Sequence, residues 1–327
     1  MTKIKQVCIT GAGGFIGSHL VEACVARGYK VRAFVRYNGR SNWGWLETSQ
    51  ALGKIEVVAG DIRDYDSVAS AMKGCDMVFH LAALIGIPYS YVSPLAYVKT
   101  NVEGTYNVLQ AAKEQGVKNI LVTSTSETYG TAQYAPIDEK HPSVGQSPYA
   151  ASKVAADQLA ISYHRSFGLP VRIVRPFNTY GPRQSARAVI PNIIAQIAGG
   201  TKELRLGNLS PTRDFTFVKD SAAGFLAVAE ARGLYGEPVN LGTGTEISIR
   251  DLVGFIARLM NVKVRVVEDK ARLRRKGSEV ERLVCDNARV LAHTSWRPQY
   301  DLERGLKEMI AWVKAHPSFF KADIYNI

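Results

Sequence analysis

Residues that could transfer protons occur in two neighbouring parts of the chain. In LVTSTSETYG, residues 121–130, an apolar strand ends in hydroxyl side chains and a carboxylate, Glu127. Because burying a carboxylate is unfavourable, Glu127 is there either to cap a turn or to move a proton. Farther on, Tyr149 and Lys153 lie one helical turn apart and therefore on one face. An ammonium beside a phenol lowers the phenol pKa from about 10, so the pair can act as an acid or a base.

Another segment has the composition of a dinucleotide-binding turn. VCITGAGGFIGSHL places three glycines between the first predicted strand and the first predicted helix. Glycines at this junction allow a tight turn and a close approach of a pyrophosphate, while the helix N-terminus supplies a positive dipole. The residues predicted to contact the cofactor here are Gly11, Gly14, Phe15, Ile16 and Gly17.

The end of the second strand predicts which dinucleotide is bound. FVRYNGR carries Arg36 where an acidic residue commonly holds the ribose 2′-hydroxyl. Since a guanidinium suits a 2′-phosphate, the sequence favours NADP, with NAD as the alternative. Further cofactor contacts are predicted at the ends of the third and fourth strands: Asp61, Ile62, Leu81, Ala82 and Ala83.

The elements around these residues predict the fold class. Strand-like and helix-like segments alternate through the first half of the chain, which indicates an α/β fold with a doubly wound parallel sheet of the Rossmann type. Beyond Pro176 the alternation loosens, which indicates a smaller, mixed α/β substrate-binding lobe. The predicted nucleotide-binding domain is 1–177, with 215–242 returning to it, and the lobe comprises 178–214 and 243–327.

Composition narrows the class of protein. The length of 327 residues and the 46% hydrophobic content fit a globular protein with a substantial core. No apolar run approaches the ~20 residues of a membrane span, and MTKIKQVCIT enters a strand at once, so we expect a cytoplasmic protein. The four cysteines stand in apolar segments without paired spacing, which predicts reduced core thiols, and the six histidines have no metal-ligand spacing, so no metal is expected.

The net charge of +12 raises the question of nucleic-acid binding. The basic residues are dispersed except at 270–276, and no aromatic residues alternate with them. We therefore expect a phosphorylated small molecule as the partner rather than nucleic acid.

The motifs together resemble one enzyme family, and the resemblance covers nearly the whole chain. The sequence is similar to extended short-chain dehydrogenase/reductases that act on nucleotide sugars. The motifs in family order are GAGGFIG, DIRD, HLAA, NVEGTYNVL, STSETYG, YAASK, RPFNTYGPRQ and RDFTFVKD. The resemblance implies that Tyr149 takes a proton from a sugar hydroxyl, that Lys153 binds the nicotinamide ribose and tunes Tyr149, and that Thr125 hydrogen-bonds the sugar oxygen. Asn101, in KTNVEG, is predicted to contact the cofactor and to support the active-site end of the long helix.

The residues after Thr125 indicate the subfamily. Thr125, Ser126 and Glu127 resemble the catalytic segment of 4,6-dehydratases, in which the glutamate removes the C5 proton and water leaves from C6. Sugar 4-epimerases generally lack this carboxylate, whereas UDP-glucuronate decarboxylases carry a closely similar segment, so both activities stay open as alternatives. RYNGRSNWGWLE, among other segments, resembles dehydratases of bacterial legionaminic-type pathways, which implies UDP- or GDP-N-acetylglucosamine as the substrate.

The resemblance also places the substrate. Its diphosphate positions correspond to Asn178 and Arg213. Arg183 and Arg187, in the loop GPRQSAR, are secondary candidates, and Arg274 is a further candidate clamp in the second lobe. Trp43 and Trp45 either line a pocket or pack a loop against the core. Helices near 95–115 and 149–167 are expected to pair across a two-fold axis, which predicts a homodimer.

Overall fold

The computed structural model describes residues 5–320. The strands are β1 (Gln6–Thr10), β2 (Lys30–Arg36), β3 (Ile55–Gly60), β4 (Met77–His80), β5 (Asn119–Thr123), β6 (Val171–Pro176), β7 (Asn178–Tyr180), β8 (Glu203–Leu206), β9 (Thr212–Arg213), β10 (Phe215–Phe217), β11 (Pro238–Leu241), β12 (Ile247–Ser248), β13 (Arg265–Glu268) and β14 (Arg282–Leu283). The helices are α1 (Phe15–Ala26), α2 (Tyr65–Met72), α3 (Ile87–Val92), α4 (Pro94–Tyr97), α5 (Gly104–Glu114), α6 (Pro148–Phe167), α7 (Val189–Ala198), α8 (Val218–Glu230), α9 (Ile249–Leu259), α10 (Ala288–His293) and α11 (Leu302–Ala315).

A seven-stranded parallel sheet forms the centre of the molecule. Its order is β11-β6-β5-β4-β1-β2-β3, and every neighbouring pair is parallel. Strands β4 and β6 are buried along their whole length because helices cover both faces of the sheet. Helices α1 and α8 pack on one face, and α2, α5 and α6 pack on the other. The predicted doubly wound α/β fold is confirmed.

The segments after β6 build a second core. It joins apolar side chains of α7, α9 and α11 with those of β8 and β10. Three small sheets surround it: β10 with β7, β12-β9-β14, and β13 with β8. This core lies beyond the carboxyl ends of the central strands, which is the edge where parallel α/β sheets bind ligands.

One long helix was expected near 95–115, and the structure differs there. A π-helical turn, Val98–Glu103, separates α4 from α5. The wider turn contains Asn101, whose amide nitrogen donates to Leu84 O and to Ser152 Oγ, each at 2.9 Å. The helix is interrupted where it serves the strand-end loops, a common place for such turns.

Two further observations concern the described residues as a whole. Within residues 5–320, no helix is both long enough and apolar enough to span a membrane. The cysteines Cys8, Cys24, Cys75 and Cys285 are unpaired and buried, which confirms the predicted core thiols.

Candidate active site

Strand β5 ends at the carboxyl edge of the sheet, and the hydroxyl-rich segment follows it there. Ser124 N donates to Val174 O at 2.7 Å, which continues the pairing with β6. The chain then enters a 3-10 turn, Ser126–Tyr129, where Thr125 Oγ1 accepts a hydrogen bond from Glu127 N at 3.2 Å. The side chain that caps this turn is therefore Thr125, so turn capping does not explain the carboxylate of Glu127.

Helix α6 presents Tyr149 and Lys153 to this strand end. The helix starts where Ser147 Oγ accepts from Ala150 N at 3.1 Å, with Pro148 in the first turn. The Tyr149 hydroxyl is hydrogen-bonded to Thr125. Lys153 Nζ donates to Thr123 O at 2.6 Å. Thus the three side chains that the sequence proposed as a triad lie together.

Burial dominates the electrostatics of this triad. Burial raises the pKa of Tyr149 well above its usual value, while the hydrogen bond from Thr125 opposes this rise. Burial also lowers the pKa of Lys153 to about 8, against the attraction of the Asp157 carboxylate. The expectation that the ammonium lowers the phenol pKa is not met in this structure, because burial raises the pKa of Tyr149 and Lys153 donates to the backbone of β5.

A buried ion pair between Asp157 and Arg175 stabilises the segment that follows β5. Asp157 Oδ2 accepts from Ser124 Oγ at 2.8 Å and from Arg175 Nε and Nη2 at 3.0 and 2.9 Å. Both charged side chains are almost completely buried. The guanidinium of Arg175 also lies over the Tyr129 ring, 4.6 Å from its centre. This pair joins α6 and β6 directly beneath the segment that carries Thr125.

The glycine turn fits a dinucleotide pyrophosphate. Gly11 has φ +70°, and a Cβ built on it would lie 2.8 Å from Ala82 N. A Cβ on Gly17 would lie 2.2 Å from Gly11 O. Neither position accommodates a larger residue, and the turn leaves backbone amides at the N-terminus of α1. The tight glycine turn and the positive end of the α1 dipole therefore suit a pyrophosphate group.

A hydrogen-bonded chain beneath the turn defines the protonation of His80. Thr10 Oγ1 accepts from Leu81 N and Ala82 N, each at 3.1 Å, so its own proton goes to His80 Nδ1 at 2.8 Å. His80 Nε2 then donates to Thr105 Oγ1 at 3.1 Å, and Thr105 in turn donates to a backbone oxygen. The imidazole is held neutral, and burial lowers its pKa to about 3.

His80 makes the fold sensitive to acid. Its pKa is about 6.5 when unfolded and about 3 when folded, so its contribution to stability is complete above pH 6.5 and is lost as the pH falls toward 3. At 1.36 kcal/mol per unit, this amounts to up to about 5 kcal/mol. Urea unfolding between pH 7 and pH 4 should therefore show a steeper loss of stability for the wild type than for His80→Asn. Equal slopes for the two proteins would contradict this assignment.

Among the remaining residues predicted to contact the cofactor, one side chain is exposed and the others contact other groups of the protein. Arg36 ends β2 and is exposed, whereas Ile62 is buried against Gly104. The Asp61 carboxylate is engaged by the Arg63 guanidinium, whose hydrogen bonds lower the Asp61 pKa to about 2. Asn101 uses its amide entirely within the protein, since its oxygen also accepts from Leu84 N at 2.8 Å. We therefore propose a positioning role for Asn101 rather than a cofactor contact.

The loop after β2 covers the glycine turn. Trp45 N donates to Gly13 O at 3.0 Å, and the Trp45 ring packs against Trp312 and Phe319 at centroid distances of 5.4 and 4.7 Å. Trp43 packs against the apolar core of the central sheet. Both tryptophans thus hold the loop, as the second of the two sequence interpretations proposed.

A cavity of about 350 Å³ opens between the sheet edge and the second core. The four residues predicted to bind substrate all line it: Asn178, Arg187, Arg213 and Arg274. Arg183 lies elsewhere, with its guanidinium donating to Ser18 Oγ at 3.2 Å and to Glu22 Oε1 at 2.7 Å. The cavity meets the strand end where Arg274 Nη1 lies 3.7 Å from Glu127 Oε1.

The arginine-lined cavity and the triad of Thr125, Tyr149 and Lys153 together can bind a molecule with two anionic groups and a reacting alcohol. A model of the family described as GDP-mannose 4,6 dehydratase matches residues 8–309. The chain belongs to this family. The matched range covers the central sheet and most of the second core.

Individual relatives within the family have different activities. A dTDP-glucose 4,6-dehydratase of Streptomyces antibioticus is 34% identical over 97% of this chain and 94% of that protein. A UDP-N-acetyl-alpha-D-glucosaminuronate decarboxylase of Bacillus cytotoxicus is 33% identical over 95% of this chain and 98% of that protein. The crystal structure of DesIV, a dTDP-glucose 4,6-dehydratase of Streptomyces venezuelae with NAD bound, has a TM-score of 0.86 at 32% identity, covering 97% of this chain and 99% of that one.

Sequence reasoning missed two charged residues at the site. Asp157 lies one turn after Lys153 on α6, but nothing in its sequence context indicates that Arg175 is its partner. Glu279 lines the cavity between two arginines, although the sequence analysis assigned no role to the segment SEVERL that contains it. The helical spacing of Lys153 and Asp157 was the one available signal.

Proposed function

We propose that this protein is a nucleotide-sugar 4,6-dehydratase that acts on UDP- or GDP-N-acetylglucosamine. The observation that carries the proposal is the carboxylate of Glu127, which does not cap its turn and instead lies 3.7 Å from Arg274, a residue that lines the cavity. An epimerase needs no base at this place, because it only removes and returns hydrogen at one carbon. Elimination of water needs a group that takes the C5 proton.

Each residue has a role in this mechanism. Thr125 orients the sugar C4 oxygen, and Tyr149 takes the C4 hydroxyl proton. Glu127 removes the C5 proton and delivers it to the departing C6 oxygen, with Ser126 beside it at the strand end. C5 afterwards takes up a proton, which balances the proton that Tyr149 received from the C4 hydroxyl. Lys153 holds the ribose of a nicotinamide nucleotide and keeps positive charge near Tyr149. A nicotinamide cofactor supplies reversible hydride transfer when it is bound.

We propose NADP as that cofactor, with NAD as the alternative. The exposed guanidinium of Arg36 at the end of β2 supports NADP, because it can reach a ribose 2′-phosphate while the carboxylate of Asp61 is occupied by Arg63. NAD in the related DesIV structure supports the alternative. Mass spectrometry of the nucleotide released on denaturing the purified protein distinguishes the two.

The cavity supports a diphosphate-linked substrate. Arg213 and Arg274 supply planar donor groups that match phosphate oxygens, and Asn178 adds a neutral donor at the sheet edge. The N-acetylglucosamine part of the proposal comes from the resemblance of segments such as RYNGRSNWGWLE.

The test supplies the purified protein with UDP-N-acetylglucosamine, GDP-N-acetylglucosamine and dTDP-glucose, and follows product mass. Loss of one water from a substrate is the expected result. With deuterium at C4, the label should appear at C6 of the product, because the hydride removed from C4 is returned to C6 of the same sugar. A product of unchanged mass with an inverted C4 would instead identify an epimerase and overturn the proposal.

A decarboxylase is the second candidate, and one contact favours it. Arg274 lies 3.7 Å from Glu127, so the site offers a guanidinium where a uronate carboxylate at C6 could bind. Oxidation at C4 of such a substrate would allow loss of carbon dioxide. UDP-glucuronate and UDP-N-acetylglucosaminuronate therefore belong in the same assay, where loss of carbon dioxide identifies this activity.

We also propose a homodimer. Apolar side chains are exposed on the π-helical turn, on the helices around it and at the end of α6: Val92, Leu95, Val98, Tyr106 and Phe167. An exposed apolar strip on neighbouring helices suits a two-fold interface. Light scattering during size-exclusion chromatography measures the assembly.

A further inference from the structure

Four charged side chains meet where the substrate cavity reaches the strand end. Arg274 Nη1 lies 3.7 Å from Glu127 Oε1 and 3.8 Å from Glu279 Oε1. Arg213 Nη2 lies 3.7 Å from the same Glu279 oxygen. Glu279 forms ion pairs with both arginines, while Glu127 pairs with Arg274 and also attracts Arg213.

Arg274 is held between its two carboxylates without a hydrogen bond to either one. Charge-assisted N–H···O bonds are about 2.7–2.9 Å long, about 1 Å shorter than both contacts. Within residues 5–320, Nη1 of Arg274 is buried and has no hydrogen-bond partner. The group is therefore attracted from two sides, and its Nη1 forms no hydrogen bond that an entering ligand would have to break.

Glu279 is anchored to the segment that carries Glu127. Thr131 Oγ1, just after the turn of Glu127, donates to Glu279 O at 3.3 Å, and Glu281 N donates back to Thr131 Oγ1 at 3.3 Å. The carboxylate of Glu279 is mostly buried, as is that of Glu127, with 14% and 13% of each side chain exposed. An acid at this point repels a diphosphate, so its presence among the arginines requires another explanation.

We propose that Glu279 is a positioning residue that holds Arg274 over the diphosphate subsite and prevents it from pairing fully with Glu127. This inference deepens the proposed function, since it rests on Arg274 binding the diphosphate and on Glu127 being the base. The attraction of Glu279 balances that of Glu127, so the guanidinium stays between them. When a diphosphate enters, Arg274 donates to it, and the carboxylate of Glu127 stays free to take a proton.

Removing the charge of Glu279 should therefore weaken ligand binding, although the change also removes a repulsive charge. In Glu279→Gln, Arg274 is drawn to Glu127 as its remaining carboxylate partner, and the diphosphate must break that pair. Simple loss of repulsion predicts the opposite sign, a tighter complex. Whether the affinity for the ligand falls or rises therefore separates the two explanations.

The experiment measures UDP binding to the holoenzyme by calorimetry, with dTDP and GDP as further probes. Glu279→Gln is expected to weaken binding about tenfold or more, the effect of one lost charge-assisted bond. Adding Glu127→Gln to that variant should restore most of the affinity, because the competing carboxylate is then gone. Glu279→Asp keeps the charge and is expected to stay within about threefold of the wild type.

Glu268→Gln is the matched control, since it removes the same charge from an exposed side chain at the end of β13. It should leave UDP affinity unchanged. Thermal unfolding of each variant separates lost binding from lost folding, and Glu279→Asp carries the test if Glu279→Gln does not fold. Unchanged or tighter binding by Glu279→Gln, weak binding by Glu279→Asp, or no restoration by Glu127→Gln would overturn the inference.

The activity of the same variants keeps this test separate from that of the proposed function. In Glu279→Gln, KM should rise while kcat changes little, because the bound diphosphate has already separated Arg274 from Glu127 when Glu127 is needed as a base. If the wild type eliminates no water from any nucleotide sugar, the proposed function fails while the binding pattern still tests Glu279. If UDP, dTDP and GDP all fail to bind the wild type, the inference fails.

Discussion

Glu127→Gln is expected to stop the loss of water while leaving oxidation at C4 intact. Glutamine has nearly the same shape but cannot accept the C5 proton, so only the step after oxidation is blocked. Losing a general base reduces the rate by about 10²–10⁴-fold. Reduced nicotinamide should accumulate on the protein, because hydride cannot return to C6 until water has left. Single-turnover absorbance of the reduced cofactor, read together with product mass, measures both steps.

Tyr149→Phe is the informative comparison for this prediction. It removes the hydroxyl that takes the C4 proton, so neither oxidation nor elimination should occur, and no reduced nicotinamide should appear. Both variants leave the central sheet untouched, and near-ultraviolet circular dichroism checks that each is folded. If Glu127→Gln still released water at the wild-type rate, the base would have to be another group and the proposed function would lose its main support.

The parts of the fold and site that could be predicted from the sequence depend on residues that are close together in the chain. The glycine turn could be identified because its spacing, the strand before it and the helix after it are contiguous in sequence. Tyr149 and Lys153 could be placed on one face because helical periodicity fixes their relation. The strand-end segment at Thr125 could be placed at the ligand edge because parallel sheets bind ligands there.

The parts that could not be predicted depend on contacts between distant segments. Glu279 belongs to the second core, and only the folded chain shows that its carboxylate lies beside Arg213 and Arg274. Burial, likewise, reversed the expected direction of the pKa change at Tyr149. The π-helical turn at Asn101 arises because that side chain bonds to two other segments, which helical periodicity does not reveal.

Asp157→Asn should cause the largest loss of stability among the changes considered. The substitution keeps the shape of the side chain but leaves the guanidinium of Arg175 buried without its counter-charge. Breaking one partner of a buried ion pair costs about 3–5 kcal/mol. The same change removes the negative charge that keeps the pKa of Lys153 from falling further, so activity near neutral pH should also decrease. Urea unfolding gives the stability, and a pH–rate profile gives the effect on Lys153.

A compensating variant shows whether the loss comes from the unpaired charge. Asp157→Leu combined with Arg175→Met replaces both ions by apolar groups of similar size, and such replacements are often neutral or stabilising. The double variant should therefore recover most of the stability that Asp157→Asn loses. Asp66→Asn, on the exposed surface of α2, is the control and should change stability by less than about 1 kcal/mol. If Asp157→Asn behaved like that surface change, the ion pair of Asp157 and Arg175 would not stabilise the strand end.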